Sequence, residues 1–518
     1  MKSRFFILLF SSILLKGALF AQRAYDGEVM MGLNGVIMKF INSNIPILDT
    51  PKHVFYLYSA GSSSIADKNG RLLLASSNYT LADRNGDSIL NGGGLNFGLD
   101  MDKMGYKDMG WSKWPQSSII LPKGDNGQYY VFTTTMSDSA FDEWQNFPAL
   151  FRFDRLTYHI VDMNANGGKG EVIEKNKMLM KDMPIASNRM TAVKHANGRD
   201  WWLVKPHQKE HIFYTFLVTE QGISAPLVQS FNFPPLGTFG GTRGQSCFNR
   251  KGDMYAYGTE GDNKVYVFNF DRCNGTFSPY HVYPIAKDSV AQGYRAIRGV
   301  CFSPNDKLLY ASSPYQIYQI DIADTSEQSI IYGHHYVFDS VYFPFYNNLY
   351  LSADDRIYVG TLHCVLASMS YFNTPNERGL ASGYCTRCLV TPYANACSLP
   401  NIPNYHLGAL VGSACDSIRP PIPIPEEVII VPNAFSPNGD TKNDTWHILN
   451  SSQLLAQGIS IEACGIYNRL GNKVYEGKGM GISWNGLGYA IDTYFYFIKY
   501  KLKDGTVKIK KGDITLLR

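Results

Sequence analysis

The sequence predicts an all-β protein, a β-propeller of about seven blades followed by a small β domain. Three observations carry this. Aromatic residues make up 14% of the chain, with Tyr 34, Phe 29 and Gly 47, a composition that favours pleated strands over helix. Short β-branched or aromatic runs recur through the body at roughly 40 to 70 residues, longer early and shorter late. Turn residues punctuate the chain between them. Small antiparallel sheets packed in a ring leave only short edges, so a chain this rich in strands has a physical reason to close radially.

The repeating segments open at Leu72–Ala75, Tyr129–Thr135, Trp201–Lys205, Met254–Thr259, Leu308–Ser312 and Leu349–Ala353. Second strands follow at Ala149–Asp154, Ile212–Thr219, Lys264–Phe270, Gln316–Ile320 and Arg356–Leu362, and third strands at Thr157–Met163 and Pro279–Val282. Six units are clear, and about seven are expected. The Gly-rich stretch Asn91–Gly98, followed by Trp111–Trp114, is the insertion best suited to form a lid or contact surface.

Lys2 and Arg4 precede the apolar run Phe5–Leu15, and small residues lead up to Ala21. This is the pattern of a secretory signal peptide over residues 1–21, cleaved before Gln22. The run is too short to anchor in a bilayer, and no other stretch reaches transmembrane length. The propeller is assigned to residues 22–418. Residues 419–427, Arg419-Pro420-Pro421-Ile422-Pro423-Ile424-Pro425-Glu426-Glu427, read as an extended, semi-rigid linker. The small domain occupies 428–518. Net charge is +4 and the body carries no basic stripe, which argues against a nucleic-acid partner.

Nine cysteines are present, and Cys385, Cys388, Cys397 and Cys415 cluster just before the linker. In an exported protein these are candidates for disulfides stapling the last blade and its exit. Zinc at Cys385–Cys388 is the lesser reading, since a second C-x-x-C is absent. Asp83, Asn85 and Asp87 offer alternating oxygens around a Gly, a weak calcium candidate that ordinary turn chemistry explains as well. His207-Gln208-Lys209-Glu210-His211 has a zinc-peptidase spacing. It lies between two strand-like runs, where a hairpin would scatter the imidazoles. Trp111/Trp114 and Trp201/Trp202 could stack on sugars, with packing between blades the commoner use. Carboxylates for glycoside cleavage could still meet across blades. Beyond these, no catalytic motif or resident cofactor is indicated.

From Val428 the tail alternates runs of β residues with turns: Val428–Phe435, Ile461–Tyr467, Thr493–Leu502 and Val507–Leu517, with Asp504-Gly505 marking a hairpin. Eleven Lys/Arg stand against seven Asp/Glu here, and Lys508, Lys510 and Lys511 read as charges that blunt an edge strand. The blocks PNAFSPNGD…ND…W, IYNRLGNKVYE, WNG, TYFYFI and KKGDITLLR resemble, in order, the gliding-motility-associated C-terminal domain, the type B sorting signal of the type IX secretion system. The residues carrying the likeness are Pro432, Asn433, Phe435, Pro437, Asn438, Gly439, Asp440, Asn443, Asp444, Asn468, Arg469, Gly471, Tyr494, Tyr496, Lys511, Gly512 and Arg518. Leu470, Asn485, Thr441 and Asp492 depart from the usual pattern.

That resemblance implies an Ig-like sandwich, export across the outer membrane, partnership with the secretion machinery, and surface attachment or release. NGRLLLASSN, VDMNANGGKG, NGRDWWLV, GVCFSPNDKLLYASS and LPNIPNYHLG resemble the seven-bladed, WD40-like propellers that often precede such a domain. They carry over no catalytic residues. The expected function is therefore an exported binding or scaffold protein with a surface glycan or protein ligand; the alternative is a secreted propeller hydrolase or lyase acting on polysaccharide.

Overall fold

The computed structural model describes residues 25–32, 35–40, 45–53, 61–103, 114–147, 152–236, 244–259, 263–285, 297–324, 328–333, 346–361, 367–392, 399–416, 429–439, 443–451, 454, 458–502 and 505–517. The segments expected to be signal peptide and linker lie outside them. The chain divides into two compact units, 1–418 and 419–518.

Among the described residues, unit 1 contains seven antiparallel sheets, each built from strands consecutive in sequence. Their first strands are Glu28–Met31, Ser63–Ala66, Ser118–Pro122, Thr191–Lys194, Ser246–Phe248, Gly299–Phe302 and Tyr346–Leu351. These line the centre, and the first strands pack on one another from the first sheet to the third and from the fourth to the seventh. Hydroxyls such as those of Ser63, Ser64, Ser118, Thr191 and Ser246 are fully or nearly fully buried there. Outermost strands, among them Glu171–Met180, Thr276–Pro284 and Tyr384–Val390, carry the exposed positions. This is a seven-bladed propeller.

A tight turn joins the first two strands of nearly every blade. Gly70 N–H bonds Asp67 O at 2.9 Å, Gly198 bonds His195 at 2.9 Å, Gly252 bonds Asn249 at 3.1 Å, Asp306 bonds Ser303 at 3.0 Å and Asp355 bonds Ser352 at 3.2 Å. Apolar clusters fill the wedges between blades. Val300, Phe302 and Leu309 of the sixth sheet meet Val265, Val267 and Tyr283 of the fifth. Val29, Met31 and Met38 of the first sheet meet Tyr350, Tyr358, Met369 and Tyr371 of the seventh. The ring thus closes by side-chain packing between first and last sheets, whose strands do not mix. Gly299 shows how tight the centre is: a Cβ there would lie 2.3 Å from Asn347 O.

The repeat runs one strand ahead of the sequence reading. Five of the six predicted openings are second strands, and only Leu349–Ala353 overlaps a first strand. The true first strands are short and line a polar centre, so they lack the apolar run that marks a strand in sequence. The sheet at Glu28–Asp49 supplies the seventh unit.

In unit 2, a five-stranded sheet has the order Ala434–Phe435, Val507–Leu516, Asp492–Lys501, Ser460–Tyr467, Lys473–Gly477. The pair Trp446–His447 and Ser483–Trp484 forms a second layer. Trp446, Trp484, Tyr494, Tyr496, Ile498 and Ile514 are buried between them, giving the small sandwich expected of an Ig-like domain. The terminal strand is covered at its end, where Ala434–Phe435 pairs in parallel with Thr515–Leu516.

Candidate functional site

The centre of a propeller ring is its natural binding site, and here the protein's own groups occupy much of it. Gln116 reaches to the fifth blade, its amide pairing with Ser246 N (2.9 Å) and Ser246 O (2.8 Å) like one rung of a ladder. Gln245 accepts from Val300 N (3.2 Å) and Leu349 N (2.8 Å) and donates to Leu349 O (2.6 Å), tying blades five, six and seven. These first strands have no partner on their inner side, so the amides satisfy backbone groups that would otherwise be buried unpaired.

After the last blade, residues 399–410 turn back across the ring. Asn401 Nδ2 donates to Ser118 O and Met190 O, both at 2.9 Å, and its backbone N–H bonds Ser62 O at 2.8 Å. Tyr405 Oη bonds Ile120 O at 2.7 Å, and Asn404 Nδ2 bonds Arg250 O at 3.0 Å. His406 Nε2 lies 2.6 Å from Asp26 Oδ1 at the start of the first sheet. Leu410 N–H ends the run on Ala196 O at 2.8 Å. This segment, part of which carried the propeller resemblance as LPNIPNYHLG, braces at least five blades.

Between the segment and the first strands of blades four to seven remains a cavity of about 390 Å³. Its walls include Cys247, Phe248, Cys301, Leu349, Tyr350, Arg250 and His406, and Asp26 is the one carboxylate among the described residues that line it. Burial pushes the Cys301 thiol up to about 12 and the Cys247 thiol well above its ordinary value, so neither is a ready nucleophile.

Most of the sorting-type residues build the second unit from within. Trp446 Nε1 donates to Pro432 O at 2.9 Å. Asn433 O and Phe435 O accept from Thr515 N and Leu517 N, each at 2.9 Å, and Phe435 packs on Trp484. Asp444 Oδ1 accepts from Gly439 N at 2.9 Å, Asn443 O accepts from Ser436 N at 2.9 Å, and Asn438 N–H bonds Ser436 O at 2.9 Å within the same loop. Asn468 Oδ1 holds the turn through Leu470 N (3.0 Å) and Asn472 N (2.9 Å), and Gly471 occupies its left-handed position. Tyr494 and Tyr496 are buried, and Gly512 passes under the Tyr496 ring, where a Cβ would approach within 2.6 Å. Pro437 is half-buried beside the loop, and Lys511 is exposed opposite Phe497. Arg469 pairs with Asp492, giving that unusual residue a partner. Asp440 and Arg518 lie outside the described residues.

The remaining candidates divide clearly. Cys385 and Cys388 are disulfide-bonded across a bulge in the outermost strand of the seventh blade. The bond clips one strand instead of joining the blade to its exit. Cys415 sits on the loop after the bracing segment, and Cys397 is outside the described residues. Asp83 Oδ1 is engaged by Asn85 N (2.8 Å) and Asp87 N (3.0 Å), and Asp87 meets His53. Among the described residues no group of three or more His, Cys, Asp or Glu is placed to hold a metal.

His207 and His211 flank a hairpin turn. His207 Nδ1 accepts from Glu210 N at 2.9 Å, while His211 points into the Tyr257–Tyr266 stack. Trp201 and Trp202 are buried, and Trp202 Nε1 bonds Arg272 O at 2.8 Å. Trp114 packs edge-on against Phe153, and Trp111 is outside the described residues. Leu95 and Asn96 of the Gly-rich stretch are buried, with Asn96 Oδ1 accepting from Thr133 Oγ1 at 2.8 Å. That half of the expected lid is therefore a strap fixed into blade three.

Sequence reasoning missed Gln116, Gln245, Asn401, His406 and Asp26. Their signal is faint, because isolated amides beside short polar strands resemble loop residues.

Residues 429–516 match the CHU_C type IX secretion signal domain. Unit 2 is thus a sorting domain of that system, and the protein is exported to the cell surface or the medium. No curated protein matches the chain. Several solved structures are similar to it at low identity. A candidate 6-phosphogluconolactonase of Bacteroides uniformis is 12% identical over 72% of this chain and 98% of its own, with a TM-score of 0.43. The periplasmic gluconolactonase of Pseudomonas aeruginosa is 12% identical over 71% and 97%, with a TM-score of 0.40. A β-propeller domain of Myceliophteria thermophila is 11% identical over 66% and 92%, with a TM-score of 0.38. No helix among the described residues is long and apolar enough to cross a membrane.

Proposed function

We propose that the propeller is a binding or scaffolding module, delivered to the outer surface or the medium by its sorting domain after passage through the periplasm on an N-terminal signal peptide. The single observation that supports binding over catalysis is the state of the channel. Its polar groups are largely committed to one another, and the carboxylate in its cavity is engaged by His406. A glycosidase needs two carboxylates facing one bond. A rigid ring braced at its centre instead offers its loops as a fixed surface for a glycan or protein ligand.

The test is to purify the exported protein and offer it isolated cell-surface polysaccharides and intact cells. Co-sedimentation without release of reducing ends is expected. Turnover that survives further purification would replace this reading with the hydrolase or lyase. Calcium addition is expected to leave retention and stability unchanged.

A further inference from the structure

We propose that the last strand of unit 2 is a receptor edge, which takes up an extended acidic segment of another polypeptide by strand addition. This deepens the sorting reading and rests on it, the segment belonging to whatever receives the domain at export. Val507–Leu516 is paired along its length with Asp492–Lys501, with no break in register. On its other side only the end is covered, where Thr515 N–H and Leu517 N–H bond Asn433 O and Phe435 O. Alternate residues of a regular antiparallel strand turn their backbone groups to the same side. The N–H and C=O groups of Val507, Ile509, Lys511 and Asp513 therefore face outward, and among the described residues nothing pairs with them. Such a row is a template for one more strand.

The side chains along that row select the occupant. Ile514 and Leu516 are buried in the sandwich, so Lys508 and Lys510 share their side of the sheet and the odd-numbered positions lie on the outer face. There Ile509 and Val507 are 55% and 45% exposed, on the same face as Phe495 and Phe497 of the neighbouring strand. An incoming strand would meet lysines with one set of its side chains and apolar groups with the other. Residues 507–513 hold three lysines against the single carboxylate of Asp513. A second copy of this edge would set lysine against lysine, which destabilises cross-strand pairs. The charges that oppose self-association thus admit a segment of alternating acidic and apolar residues. The opposite edge of the sheet, Lys473–Gly477, lacks this excess, because Lys473 pairs with Glu476.

The full chain is titrated with a peptide of alternating glutamate and valine, and with its lysine–valine counterpart as charge control. Hydrogen exchange reads the edge directly, since the outward amides of Val507, Ile509, Lys511 and Asp513 exchange freely until a strand covers them. Export from the cell is then followed for two edge variants. Ile509→Pro removes one outward donor and leaves the ladder to Asp492–Lys501 intact, as an edge position allows. The triple variant Lys508→Glu, Lys510→Glu, Lys511→Glu reverses the charge and changes no backbone group, so it carries the test if the proline disturbs the fold. Lys473→Glu combined with Lys478→Glu is the control at the opposite edge.

The acidic peptide should slow exchange at the four amides and lose its hold as salt is raised. It should bind Ile509→Pro about tenfold more weakly, the equivalent of one hydrogen bond. Both edge variants should stay in the periplasm with unit 2 melting as in the wild type, while the control leaves the cell. The edge is refuted if the lysine peptide binds as well as the acidic one, if neither binds, or if binding leaves the four amides unprotected. Normal export of the folded edge variants refutes it too, and keeps unit 2 as the sorting signal so long as a chain ending at Pro425 is held back. Export of that shortened chain removes the sorting reading, and the receiving partner with it.

Discussion

The His406 imidazole, on the segment that leaves the last blade, lies 2.6 Å from the Asp26 carboxylate at the entrance to the first, joining residues 380 positions apart. Both side chains are mostly buried, at 15% and 12% exposure. The pair therefore adds a polar latch to the apolar seam between blades one and seven.

Removing one partner strands the other. His406→Ala is expected to cost about 1–3 kcal/mol, read as a lower denaturant midpoint for unit 1. Asp26→Asn should cost a similar amount, and the double variant less than the sum, because the two changes remove one interaction. Additive losses would show that the pair contributes no coupling.

Gln245 is the more costly centre to disturb. Gln245→Leu keeps the volume but leaves Val300 N–H, Leu349 N–H and Leu349 C=O without their partner. A loss of about 3 kcal/mol or more is expected, with faster amide exchange at Val300 and Leu349. Wild-type exchange at both positions would mean that water replaces the side chain.

A fully buried histidine makes the propeller acid-sensitive. His159 Nδ1 accepts from Asn176 N–H at 3.0 Å, which places its own proton on Nε2 against Thr133 Oγ1 at 2.9 Å. Burial, aided by Lys175, holds its pKa down at about 3. In the unfolded chain the ring takes up a proton near 6.5, so between those values the unfolded state binds more protons and stability falls as pH drops. At pH 5 the loss attributable to this group is about 2 kcal/mol. Urea titrations from pH 7 to pH 4 should show that slope, and His159→Gln should flatten it.

The Cys385–Cys388 bond closes a very short loop, at a sequence separation of 3. In the chain-entropy account such a loop contributes no more than about 2 kcal/mol. Mild reduction should therefore lower the melting temperature by only a few degrees and leave the ring folded. Collapse of the whole ring on reduction would assign this clip a far larger role.

Trp446 anchors the sandwich: it is fully buried, packs on Tyr496 and donates to Pro432 O. Trp446→Ala is expected to cost about 3–5 kcal/mol, unfolding unit 2 while the propeller transition stays in place. Loss of export by that variant would show that the sorting signal is read from a folded domain.

The sorting domain was legible because its motif residues are turn formers and core aromatics, which leave strong local marks. Asn468 and Gly471 write a turn directly into the chain, and Tyr494 and Tyr496 alternate with exposed neighbours as a strand requires. In the propeller, apolar second and third strands such as Trp201–Pro206 and Ile212–Thr219 could be read. Inner strands such as Ser246–Phe248 could not, because three residues facing a polar channel carry no period. The recurring turn at Asp67–Gly70, His195–Gly198, Asn249–Gly252, Ser303–Asp306 and Ser352–Asp355 was the better ruler, as it marks the same joint in successive blades. The latch between Asp26 and His406 is invisible to any local pattern, since only ring closure brings its ends together.

Export of the full chain, compared with a chain ending at Pro425, tests the central claim most directly. Surface proteolysis and blotting of cells and medium give the readout. The full chain should be found at the surface or in the medium, with the truncated chain held in the periplasm. If both forms leave the cell alike, unit 2 is not the sorting signal, and the account of how this propeller reaches its ligand is wrong.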